Sequence, residues 1–104
     1  MRSIYFDSAA TTQLRPEVAE RMFEVLRDVP GNPSSTHAFG RSAKSLIESA
    51  RKSIAAHLNV SAGEIVFTSG GTEADNLAIT CAVRDLGVGR IITSRIEHHA
   101  VLHA

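Results

Sequence analysis

The chain has 104 residues, 43% of them hydrophobic and 21% charged, with eleven basic side chains set against eleven acidic ones. That balance, with no basic run or stripe, argues against nucleic acid or an anionic membrane surface as a partner. A single cysteine, Cys81, excludes an internal disulfide and fits a reducing compartment; the N-terminus has no apolar run of signal-peptide or membrane-span length, so the cytoplasm is the expected location.

Ile4-Tyr5-Phe6 is a short apolar segment that ends at Asp7 and runs into small and hydroxylated residues from Ser8 to Thr12. This predicts a brief strand and a loop, either a plain arm or the edge of a site. Arg15-Pro16-Glu17 places a proline at a first helical position, and Val18, Met22, Val25, Leu26 and Val29 then recur at helical spacing. The expectation is a helix from about Pro16 to Asp28 with its apolar stripe in the core. Gly31-Asn32-Pro33-Ser34-Ser35-Thr36-His37 is dense in turn formers, and Pro33 biases Asn32 toward extended geometry. Such a segment is either a surface loop or a polar loop lining a site.

Ala43, Leu46, Ile47, Ala50, Ile54 and Leu58 form one face of a helix predicted from about Arg41 to Leu58. Lys44 and Lys52, the only lysines, fall on its polar face, where a solvated charge is expected rather than a cofactor-anchoring amine. After the break at Asn59 to Gly63, Glu64 to Thr68 has strand character and meets Ser69-Gly70-Gly71-Thr72, where a helix from about Thr72 to Leu86 begins. Gly87-Val88-Gly89 stops that helix, and Arg90 to Ser94 is the next predicted strand. The span is that of a βαβ unit, so the fold class is α/β, and the loop after each strand would face one crevice.

A helix start offers unpartnered backbone N–H groups and the positive end of the macrodipole, which suits a phosphate. Gly70 and Gly71 would allow positive φ and close backbone approach. Thr72 could cap the helix, with Asp75 as a capping-box-like partner, or donate its hydroxyl to the phosphate. The bland alternative is a plain strand-to-helix connection. No Walker loop is present, and the third glycine of a dinucleotide fingerprint is missing.

The run Phe67-Thr68-Ser69-Gly70-Gly71-Thr72-Glu73-Ala74-Asp75-Asn76-Leu77-Ala78-Ile79 resembles the phosphate cup of NifS-like cysteine desulfurases, pyridoxal-phosphate (PLP) enzymes of the class V aminotransferase group. Tyr5 to Thr12, Gly31 to His37, and Ile96-Glu97-His98-His99-Ala100-Val101-Leu102 agree in order and spacing. Gln13 and Leu14 depart from the family pattern, where a proline is frequent, and Asp75 stands where Asn is also common. The resemblance implies the N-terminal piece of a fold type I, aspartate-aminotransferase-like enzyme: helices followed by a βαβ unit of the large-domain sheet. Residues 1–104 would be the N-terminal arm and the start of the PLP-binding domain.

It further implies that Gly70, Gly71 and Thr72 hold the cofactor phosphate, and that His98 stacks on the pyridine ring and serves catalysis. Asn32, His37, Ala10 and Thr11 would lie toward the substrate, His37 in a partner subunit's site. The implied reaction converts L-cysteine to L-alanine and a protein persulfide for iron–sulfur or thio-cofactor assembly, in a homodimer that meets a sulfur acceptor or scaffold protein. The family's anchoring lysine and persulfide cysteine fall beyond Ala104, so this piece alone is expected to be inactive. Cys81, on an apolar helix face, is not that cysteine. Selenocysteine lyase, an aminotransferase, or a non-catalytic anion-binding or dimerising fragment are the alternatives. His99 and His103 stand four apart, yet without a third ligand at suitable spacing no metal is expected.

Overall fold

The computed structural model describes residues 3–104, which divide into two units, one reaching to Ala62 and the other Gly63–Ala104. The first unit carries helix α1 (Pro16–Asp28) and helix α2 (Ala38–Leu58). In α1, Pro16 needs no N–H partner in the first turn, Glu17 lies at the positive end of the dipole and Arg27 at the negative end. The predicted bounds hold; the predicted core does not. Val25 and Val29 are half-buried, whereas Val18, Met22 and Leu26 are exposed, Leu26 to 80%. Helical spacing fixes which face is apolar, but not what covers it.

Helix α2 begins at Ala38 rather than Arg41, because His37 acts as its N-cap: the ring Nδ1 accepts from the Gly40 N–H at 3.4 Å. At the other end Asn59 turns left-handed (φ 54°, ψ 44°), and the Val60 N–H reaches back to the Ala55 carbonyl at 3.0 Å. Ala43 and Ala55 are buried on this helix, with Gly40. Gly40 and Gly31 are both required by close approach. A Cβ on Gly40 would strike the carbonyls of Ser35 and Asn32, and one on Gly31 the carbonyl of Phe39. The segment from Gly31 to Gly40 is thus folded tightly on itself.

The second unit opens with a 3₁₀ turn, Ala62–Glu64, and contains helix α3 (Gly71–Arg84) and the short helix α4 (His99–Leu102). Helix α3 ends before Leu86: the Asp85 and Leu86 N–H groups both reach the Cys81 carbonyl, and Gly87 follows at φ 67°. The predicted strands are the main departure. Ile4 to Phe6, Glu64 to Thr68 and Arg90 to Ser94 enter no β-ladder, and among the described residues no strand forms. An extended run becomes a strand only when another supplies its hydrogen bonds, and a lone parallel pair without flanking strands or covering layers is marginal. Within the second unit α3 packs against α4, where Ala100 is buried. No described helix is long and apolar enough to cross a membrane.

Candidate functional site

The turn into α3 is built by its own side chains. Gly70 is the N-cap residue, and the Ser69 N–H and hydroxyl both donate to Glu73 Oε2, at 2.6 and 2.7 Å. Glu73 occupies the third helical position and reaches back to the residue before the N-cap; Gly70 has no side chain to return the bond, so the reciprocal cap expected of Thr72 and Asp75 does not form. The sequence expectation is corrected because the helix starts at Gly71, placing Thr72 already inside it. The Ser69 amide, and after it the Ser69 hydroxyl, hold the Glu73 carboxyl below its ordinary value. With Thr72 inside the helix, its hydroxyl takes no part in capping.

Gly70 is extended (φ 165°, ψ −178°), and the positive-φ residues among those described are Asn59 and Gly87. The left-handed role expected of Gly70 and Gly71 is therefore absent. A Cβ built on either meets nothing within 4 Å. Neither conformation nor internal packing asks for glycine here; its effect is to leave the first-turn amides bare to an approaching group.

His98 sits at the matching position of α4. It is extended (φ −62°, ψ 149°) and its Nδ1 accepts from the Ala100 N–H at 3.1 Å. An acceptor at Nδ1 places the neutral ring's proton on Nε2, so the free nitrogen is a donor. Asn76 ties the two helix starts together: its Nδ2 donates to the Thr72 carbonyl at 2.8 Å and to the Ala100 carbonyl at 3.2 Å. Sequence reasoning passed over Asn76. The available signal was an asparagine inside a helix, where its intrinsic propensity is poor and a specific hydrogen bond is the usual reason for it.

The remaining predicted residues lie in the first unit. Ala10 and Thr11 form a turn in which both N–H groups donate to the Asp7 carbonyl, at 3.1 and 3.3 Å. The Tyr5 hydroxyl closes that turn through the Asp7 and Thr11 carbonyls, at 2.9 and 3.1 Å. Asn32 Oδ1 accepts from the Ser34 N–H at 2.9 Å, an Asx turn, and its carbonyl accepts from the Ser35 N–H. The His37 ring meets Phe39 edge-on at 6.2 Å, and Arg41 donates to the Thr36 carbonyl. Cys81 is half-buried on α3, and no group of three or more metal-ligating side chains occurs among the described residues.

Residues 4–104 match the family described as aminotransferase class V. The chain belongs to the class V aminotransferases. Members of this family are fold type I PLP enzymes. The putative cysteine desulfurase IscS 1 of Bacillus subtilis is 51% identical over 106 residues, which cover 99% of this chain and 28% of that protein. The cysteine desulfurase IscS of Dictyoglomus turgidum is 50% identical over 103 residues, covering 97% and 26%. That of Methanosarcina thermophila is 50% identical over 105 residues, covering 98% and 26%. The class V chain thus spans about a quarter of the length of the curated relatives it matches, aligning with their N-terminal part. The bare amides of Gly71 and Thr72, an unspent hydroxyl on Thr72, and Glu73 drawn aside to Ser69 fit the phosphate of a PLP cofactor.

Proposed function

We propose that this chain is the N-terminal part of a PLP-dependent cysteine desulfurase, which converts L-cysteine to L-alanine and a protein-bound persulfide for iron–sulfur cluster or thio-cofactor assembly. The observation that carries it is the Asn76 bridge, which ties the glycine-opened start of α3 to the start of α4, where His98 is the cap. The desulfurase names of relatives half identical to the chain support it.

In this reading Gly70, Gly71 and Thr72 hold the phosphate through backbone amides and one hydroxyl. With PLP bound, His98 would lie against its ring and exchange a proton through Nε2, the nitrogen its cap leaves free. Ala10, Thr11, Asn32 and His37 face the substrate, with His37 serving a partner subunit's site in a homodimer. Residues 1–104 are then an arm and the beginning of the PLP-binding domain, and Glu64 to Thr68 and Arg90 to Ser94 become strands of a βαβ unit once a sheet supplies their partners. Bound PLP supplies an electron sink for bond cleavage at the substrate amino acid. The sulfur acceptor is a protein thiol, and the cytoplasm is the site of action.

The test uses the whole protein that carries this segment, with PLP and L-cysteine. Alanine should form in step with thiol-releasable sulfur, and His98→Ala should slow turnover by about 10²-fold or more. Cofactor binding without alanine production from L-cysteine would refute the desulfurase assignment.

A further inference from the structure

We infer that His99 and His103 form a bidentate site for a divalent transition-metal ion of the imidazole-preferring class. The two residues stand one helical turn apart, and the His103 N–H closes that turn on the His99 carbonyl at 3.1 Å. Their rings are stacked, with centroids 5.3 Å apart and planes 7° from parallel. His99 Nδ1 and His103 Nε2 are separated by 3.3 Å. A metal–imidazole bond of about 2.0–2.1 Å sets two tetrahedral nitrogen ligands about 3.3–3.4 Å apart, so the bite of the chelate is already in place.

Both histidines are exposed, so water can complete the coordination shell without disturbing a core. His98 is not a third ligand through Nδ1, which accepts the Ala100 N–H. With two imidazoles and water as donors, the ion belongs to the zinc, nickel and copper group rather than to calcium or magnesium. The proton between the two rings has to leave their contact. It passes through solvent to an outer nitrogen, so that His99 carries its proton on Nε2 and His103 on Nδ1, with both inner lone pairs on the ion. No redox step is involved. Sequence spacing alone gave no reason to retain this pair; the ring geometry does.

Zinc chloride titrated at neutral pH into the whole protein that carries this segment, ¹⁵N-labelled at histidine, tests it. The expected result is one ion per chain by calorimetry, with the ¹⁵N resonances of His99 Nδ1 and His103 Nε2 moving together. His99→Ala and His103→Ala should each weaken binding by about tenfold or more, while His57→Ala and Cys81→Ser leave it unchanged. The nitrogen shifts are read in the unaltered chain, so they stand even if a variant misfolds. Absence of binding, binding that survives His103→Ala, or zinc that follows Cys81 or His57 would overturn the site.

Discussion

Glu73 shows how one side chain can settle the use of its neighbours. By taking both Ser69 donors it fastens the residue before the N-cap to the first turn of α3, while Thr72 lies inside the helix. Its carboxyl is held low in the folded state, so its contribution is complete above the unfolded glutamate value of about 4.3 and is lost as pH falls through the lower folded value. Glu73→Gln should therefore reduce the helicity of α3 at neutral pH and remove the share of its acid sensitivity that Glu73 carries, Asp85 at the other end keeping its own, read by circular dichroism between neutral and acid pH. Asn76→Ala removes the amide shared by the Thr72 and Ala100 carbonyls; a loss of about 1 kcal/mol per hydrogen bond is expected. The readout is hydrogen exchange at Val101, Leu102 and His103, whose amides close α4 on His98 and His99 and should open sooner. Surface pairs such as Arg27 with Asp28, though bonded at 2.7 Å, add little because solvent screens them.

At the scale of elements, the glycines divide into two kinds that sequence does not distinguish. Gly40 is buried against the Ser35 and Asn32 carbonyls, so Gly40→Ala forces the loop away from α2, and a cost of about 1–3 kcal/mol is expected in thermal unfolding. The same change should shift the Ser34 and Ser35 amide resonances, since both donate to Asn32. Gly71 faces open space, so Gly71→Ala should leave stability unchanged or raise it by up to about 0.5–1 kcal/mol, while phosphate affinity of the whole protein falls. If both variants lost stability alike, the reading of Gly71 as a ligand-facing glycine would fail.

For the molecule as a whole, the conspicuous property is how little apolar surface is covered. Phe6, Ile92 and Ile96 are 92%, 90% and 94% exposed, and among the described residues the buried hydrophobic ones are alanines: Ala43, Ala55 and Ala100. Three alanines remove too little surface from water to hold a chain of this length rigid, since stabilisation scales with the area buried. The isolated chain should bind a hydrophobic dye strongly and self-associate as concentration rises, seen by fluorescence and sedimentation. A dye-silent monomer would show that the apolar faces are covered in solution.

The sequence by itself determined the helices and the family. Proline at the start of α1, the apolar spacing of α1 and α2, and the glycine stop after α3 are local signals, and local signals survive without a core. Gly70, Gly71, Thr72 and His98 were equally legible as residue types in order, and their cofactor roles belong to the proposed function. Only the tertiary structure decided that Glu73 rather than Thr72 ties down the turn before α3, that Asn76 joins α3 to α4, and that Gly40 is locked while Gly71 is bare. Each of these depends on which atoms meet across a turn or between helices. The predicted strands do not form among the described residues for the same reason, since a β-strand is a property of a pair, and its hydrogen bonds are supplied by another segment rather than by its own residues.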